Sequence, residues 1–87
     1  MRDSDFIRHE KIPMTKEEIR YISLGYLEIQ NAKKMLDIGS GTGSVSLEAI
    51  TSNLNLTLTA IEYNKVAYDL FIENMNNLEQ VHKNIFN

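Results

Sequence analysis

The run Asp37-Ile38-Gly39-Ser40-Gly41-Thr42-Gly43 sets a carboxylate two residues before the first of three alternating glycines. Without Cβ atoms at those positions the backbone can turn tightly and approach a ligand closely. A second carboxylate, Glu62, ends the next apolar run. An acid there can accept hydrogen bonds from both hydroxyls of a ribose, so the glycine turn and the two acids describe a site for a nucleoside-type ligand. The dinucleotide fingerprint G-x-G-x-x-G is not met, because Ser44 stands where its third glycine belongs. An ordinary strand-to-helix loop is the competing reading of the turn taken alone.

These residues need a strand before the turn and a helix after it. Met35, Leu36 and Ile38 read as a buried strand, and helical spacing resumes from Val45, with Val45, Ala49 and Ile50 expected to pack on the sheet. Thr51-Ser52-Asn53 is a polar stop. Residues 56–61 form the second apolar strand, and the alternation over residues 54–59 leaves one face solvated. Asn64 is a helix cap for a second crossover helix with an apolar face of Ala67, Leu70, Phe71, Met75 and Leu78, weakened at its end by Asn74-Met75-Asn76-Asn77. Residues 81–86 are a candidate third strand with a poor centre at His82-Lys83-Asn84.

Upstream, residues 6–12 show no sustained period, and Pro13 disfavours the α conformation at Ile12, which predicts an extended or looped arm over residues 1–14. Thr15 with Glu18 three places on predicts a capping box, opening a helix through Lys16 and Glu17. Ile19, Ile22, Tyr26 and Ile29 then supply an apolar stripe, with Glu17, Arg20 and Glu28 facing water. Gly25 inside that helix suggests a close packing contact or a kink. Glu17, Glu18 and Glu48 read as helix-surface charges.

The composition, 43% hydrophobic and 24% charged with a formal net charge of −3, is that of a soluble globular chain. With no basic cluster, a nucleic acid partner is disfavoured. No cysteine is present, which excludes disulfides and thiolate metal sites, and no run suits a signal peptide or a membrane span; the expected location is the cytoplasm. His9 and His82 lack ligand spacing and are assigned no metal and no catalytic role, with contact between His9 and a substrate the minor alternative for the arm.

The acid-plus-G-x-G-x-G turn resembles the first motif of Rossmann-like S-adenosylmethionine methyltransferases. Ile12-Pro13-Met14-Thr15-Lys16-Glu17-Glu18-Ile19-Arg20, followed by the turn and its helix, resembles more narrowly the decarboxylating cobalt-precorrin (precorrin) carbon-15 methyltransferases of cobalamin biosynthesis. The Pro-Met-Thr-Lys-Glu-Glu box is the specific part, and Glu62-Tyr63-Asn64 falls at the family's ribose-binding acid. The resemblance implies an α/β, Rossmann-like S-adenosylmethionine methyltransferase fold, here an incomplete αβαβ unit over residues 15–87. It implies methylation of a corrin-precursor tetrapyrrole with loss of an acetate carboxylate, and a homo-oligomer. By the same carry-over Thr15, Gly39, Ser40, Gly41, Thr42, Gly43 and Glu62 contact S-adenosylmethionine, and Asp37 holds the turn or the cofactor's amino-acid end. The family's later strands carry most of the tetrapyrrole pocket, so these 87 residues read as an amino-terminal part with no assigned catalytic residue. Two alternatives stand beside it: a methyltransferase-like binding or subunit module without catalysis, and a fragment of a dinucleotide-dependent reductase, which Ser44 disfavours.

Overall fold

A computed structural model describes residues 1–81. Its elements run α1 (Glu17–Tyr26), β1 (Lys34–Ile38), α2 (Ser44–Ser52), β2 (Thr57–Ile61) and α3 (Lys65–Val81), with short 3-10 turns at Asp3–Asp5 and Ile29–Asn31. The strands are parallel, paired from Lys34 with Thr57 to Ile38 with Ile61. Parallel pairing requires a crossover, and α2 supplies it. Its C-terminus is fixed by the polar stop: Ser52 Oγ donates to the Glu48 carbonyl at 2.7 Å, and the Asn53 amide donates to the carbonyls of Ile29 and Ala32 at 2.9 and 2.8 Å. The candidate strand over 81–86 lies outside the described residues, apart from Val81, which closes α3.

One face of the sheet carries the core. Met35 joins Val45, Leu56 and Ala32 around buried Leu24, Ile29 and Ala49. Beyond α2, Phe6, Met14, Leu47, Phe71 and Leu78 form a second cluster, against which Ile50 and Met75 pack, and Ile12 seats between Ala67 and Leu70. Ile50 thus turns from the sheet toward the arm, whereas Val45 and Ala49 pack toward Met35 as expected. The stripe predicted for α3 is the buried one. Its cap is also as predicted: Asn64 Oδ1 accepts from the amides of Val66 and Ala67 at 3.0 and 3.2 Å.

The other face of the sheet is bare among the described residues. Leu36 is 58% exposed, Ile38 74% and Ile61 50%, so the expected burial of β1 fails for Leu36 and Ile38 and is met only in part at half-buried Met35. Parallel strands are apolar on both sides because helices normally cover both; here α2 covers one.

The first helix differs most from the sequence expectation. Ile19, Ile22 and Tyr26 point outward, and Arg20 and Leu24 are the buried residues. Lys16 holds the cap position, and no side chain caps the helix, so the predicted Thr15–Glu18 box is absent. The reason is Arg20, whose guanidinium is completely buried and meets five partners. Nη1 donates to Asp3 Oδ1 at 2.6 Å and to the Thr15 carbonyl at 2.7 Å, Nη2 to the Met1 carbonyl at 2.8 Å, and Nε to Glu48 Oε1 at 3.4 Å. The Phe6 ring lies 5.0 Å from Cζ. Glu48, expected on the surface, is 5% exposed and also accepts from the Met1 ammonium at 2.8 Å. Desolvating a cation is tolerable only when its donors are satisfied, and turning α1 to bury Arg20 satisfies them at the expense of the isoleucine stripe. Nearby, Tyr21 donates to the Met1 carbonyl at 2.7 Å; partial desolvation, then the carboxylates of Glu48 and Glu17, push its pKa above the usual tyrosine value. Gly25 has no atom within 4 Å of a notional Cβ, so it makes no close packing contact.

Candidate functional site

At the C-terminal ends of both strands the chain leaves a cleft of about 500 Å³. Open parallel sheets bind ligands at this end, and the volume suits a small molecule. Thr15, Asp37, Gly39, Ser40, Gly41, Thr42 and Glu62 all line it, so seven of the eight residues singled out from the sequence come together there. Gly43 does not. It begins α2 in a left-handed conformation, φ +85°, with the Phe71 ring packed against it.

The turn holds its shape through its own amides. Gly39 and Ser40 donate to the Ile61 carbonyl at 2.8 and 3.2 Å, and Gly43 donates to the Ser40 carbonyl at 2.9 Å. Gly41 N–H donates to Glu62 Oε1 at 2.7 Å, while Glu62 Oε2 accepts from the Asn64 amide at 3.0 Å. Glu62 therefore ties the turn to the start of α3. Each of its oxygens keeps a lone pair for a further donor such as a ribose hydroxyl. A pyrophosphate needs the opposite arrangement, free amides and no nearby anion, and here the amides of Gly39, Ser40, Gly41 and Gly43 are consumed, that of Gly41 by a carboxylate. At the other wall Asp37 Oδ2 accepts from Ser46 Oγ at 2.5 Å, which fixes the acid at the end of β1. The cleft is acidic on both strand ends.

The arm roofs the turn. The Pro13 carbonyl lies 3.6 Å from where a Gly41 side chain would begin, and Lys11, Ile12, Pro13 and Met14 all face the cleft. Thr15 reaches the lining by continuing this arm, and its carbonyl is anchored by Arg20. Ser40 Oγ is buried without a hydrogen-bond partner, an unsatisfied donor and acceptor beside the cleft that a polar ligand would satisfy.

Asn74 is the residue that sequence reasoning passed over. It is 1% exposed, accepts from the Ile7 amide at 2.6 Å through Oδ1, and donates through Nδ2 to the carbonyls of Ile7 and Thr42, both at 3.0 Å. One side chain on α3 thereby pairs with the arm as a strand would and holds the turn at Thr42. The signal was present: Asn74 falls three residues after Phe71 and four before Leu78, inside a buried stripe, where a polar group must find partners.

Residues 5–86 match the family described as the precorrin methyltransferase domain. Over 74 residues the chain is 47% identical to a cobalt-precorrin-6B C(15)-methyltransferase (decarboxylating) of Salmonella typhimurium, covering 85% of this chain and 38% of that protein. A probable enzyme of the same name from Sulfolobus acidocaldarius is 62% identical over 47 residues, 54% of this chain and 24% of its own. Among solved structures, the precorrin-6y C5,15-methyltransferase of Geobacter metallireducens superposes with a TM-score of 0.78 at 33% identity, covering 87% of this chain and 40% of that one. The chain spans under half the length of these relatives, and its helices and two parallel strands are a partial unit of the Rossmann-like methyltransferase fold. With the match running from the arm through α3, and with turn, acids and roofing arm in one cleft, this chain belongs to the precorrin methyltransferase domain family.

Proposed function

We infer that the cleft is the S-adenosylmethionine site of a cytoplasmic methyltransferase that acts at carbon 15 of a precorrin or cobalt-precorrin, with decarboxylation, in cobalamin biosynthesis. The observation that carries the reading is Glu62, seated on the Gly41 amide at 2.7 Å with acceptor capacity left over. In this reading Glu62 takes the ribose hydroxyls, Ser40 and Thr42 offer hydroxyls along the turn, Gly39 and Gly41 let the backbone approach, Gly43 shapes the turn from behind, Thr15 closes the arm side, and Asp37 meets the amino-acid end. The cofactor supplies an electrophilic methyl group on a sulfonium. The chain's own residues hold it in line and exclude water, and two carboxylates suit a cationic ligand better than an anionic one. A homo-oligomer belongs to the same reading and is supported by the bare sheet face at Leu36, Ile38 and Ile61. That face also favours a second reading, a cofactor-binding module that is silent until another chain covers it; methyl transfer by the 87 residues alone would decide against it.

Isothermal calorimetry tests the assignment. S-adenosylhomocysteine is expected to bind saturably and NAD not at all; binding of NAD without response to the sulfur nucleoside sinks the reading. Glu62→Ala is expected to weaken binding by about 1–3 kcal/mol, the range for hydrogen bonds to a charged group. Thr15→Ala is expected to leave the unfolding free energy within about 0.5 kcal/mol of the parent, because its side chain caps nothing, so any further loss of affinity reports contact with the cofactor.

A further inference from the structure

The cleft's two acids repel the anionic part of any substrate, and a decarboxylating reaction consumes a carboxylate. Resting on the proposed function, the question becomes where on this chain such a group is received. Most basic side chains are spent or remote. Arg20 is buried, Arg2 pairs with Glu17 and Lys65 with Asp69, while Lys33 and Lys34 lie at the start of β1, the end of the sheet opposite the cleft. Among the described residues that leaves Lys16, exposed next to Thr15, and the arm's turn at residues 8–11, which carries three basic side chains within four residues. Arg8, His9 and Lys11 are exposed there, Lys11 lines the cleft, and neither Arg8 nor Lys11 forms an ion pair among the described residues. Glu10 is the acid in the same turn.

This turn is built rather than loose. It closes through a bridge between His9 and Ile12, with the Ile12 amide donating to the His9 carbonyl at 3.0 Å. Asn74 grips its start at Ile7, and Ile12 anchors its end between Ala67 and Leu70. His9 Nδ1 accepts from the Lys11 amide at 3.1 Å, which leaves Nε2–H as a donor. A guanidinium, an imidazole N–H and an ammonium are thus carried within residues 8–11, of which Lys11 lines the cleft.

We propose that Arg8, His9 and Lys11 form the receiving site for carboxylate side chains of the tetrapyrrole substrate, carried on the arm that roofs the cleft and not on the strand ends whose acids take the cofactor. The cleft is then polarised: its carboxylates hold the cationic donor, and its basic lip draws the anionic acceptor over it. The charged-fork geometry of Arg8 and the flexible ammonium of Lys11 suit several carboxylates spread around a ring better than a single small acid.

The test uses uroporphyrin I, an octacarboxylate tetrapyrrole, as a fluorescent probe, and compares the parent with Arg8→Ala/Lys11→Ala and with Lys33→Ala/Lys34→Ala. The second variant removes the same charge far from the cleft. The lip variant is expected to bind uroporphyrin about tenfold more weakly, as the loss of two exposed charged contacts implies, and to lose most of the parent's salt sensitivity. S-adenosylhomocysteine affinity, measured on the same samples, is expected to be unchanged in Lys33→Ala/Lys34→Ala, and circular dichroism reports that both variants fold. Equal uroporphyrin affinity in parent and lip variant overturns the proposal, as does equal weakening in both variants or no probe binding by the parent. Failure of the parent to bind S-adenosylhomocysteine overturns instead the cofactor reading on which it rests.

Discussion

Arg20→Ala is expected to lower the unfolding free energy by about 3–5 kcal/mol, the cost of leaving a buried partner charge uncompensated. Small domains have only about 5–15 kcal/mol in total, so the loss is a large fraction of the whole. The lost partners are spread over Asp3, the carbonyls of Met1 and Thr15, and Glu48, so no neighbouring side chain can replace them. Urea denaturation followed by circular dichroism measures the effect. Arg20→Lys should recover only part of it, because an ammonium cannot present the planar fork that reaches two carbonyls and two acids together. A loss below about 1 kcal/mol for alanine, the level of an exposed ion pair, would show that the arm does not depend on this residue.

Gly43→Ala is expected to cost about 2–4 kcal/mol, combining a left-handed backbone with overpacking. A Cβ at Gly43 would stand 2.8 Å from Phe71 Cδ2, closer than any real contact, and φ is +85°. Gly39→Ala separates the two contributions. Gly39 has φ +74° but no atom within 4 Å of its notional Cβ, so only the backbone cost of roughly 1–2 kcal/mol should remain. Shrinking the ring in Gly43→Ala/Phe71→Leu should cost less than the two single changes added together, since each relieves the other. Additive losses would mean that the contact with Phe71 does not limit the position.

What could be read from the sequence was local. The glycine turn, Glu62 at the strand end, Asn64 as a cap and the α3 stripe depend on neighbours within a few residues, and each appears where its spacing puts it. The misread charges and the misplaced face of α1 share one cause. Arg20 and Glu48 looked like surface charges because nothing near them in sequence could satisfy them; their partners are Asp3, Met1 and each other, brought in from different elements. Once that network fixes the rotation of α1, Ile19 and Ile22 must face outward whatever their hydropathy. Thr15 and Glu18 likewise have capping-box spacing, yet the helix begins beyond Thr15, whose carbonyl Arg20 holds. The bare residues Leu36 and Ile38 carry the apolar signal of a two-sided sheet, of which these elements cover one side.

The Asn74 clamp has a consequence for the order of events during synthesis. Its two bonds to Ile7 span 67 residues, and the bond to Thr42 spans 32. Contacts that far apart are closed late, because the entropy of the intervening loop must be surrendered first. A nascent chain that has emerged as far as Glu62 already carries the arm, the glycine turn and both acids, but not the side chain that joins arm to turn. Ligand affinity should therefore arrive on the ribosome as a step when α3 emerges, not gradually as the motif residues accumulate.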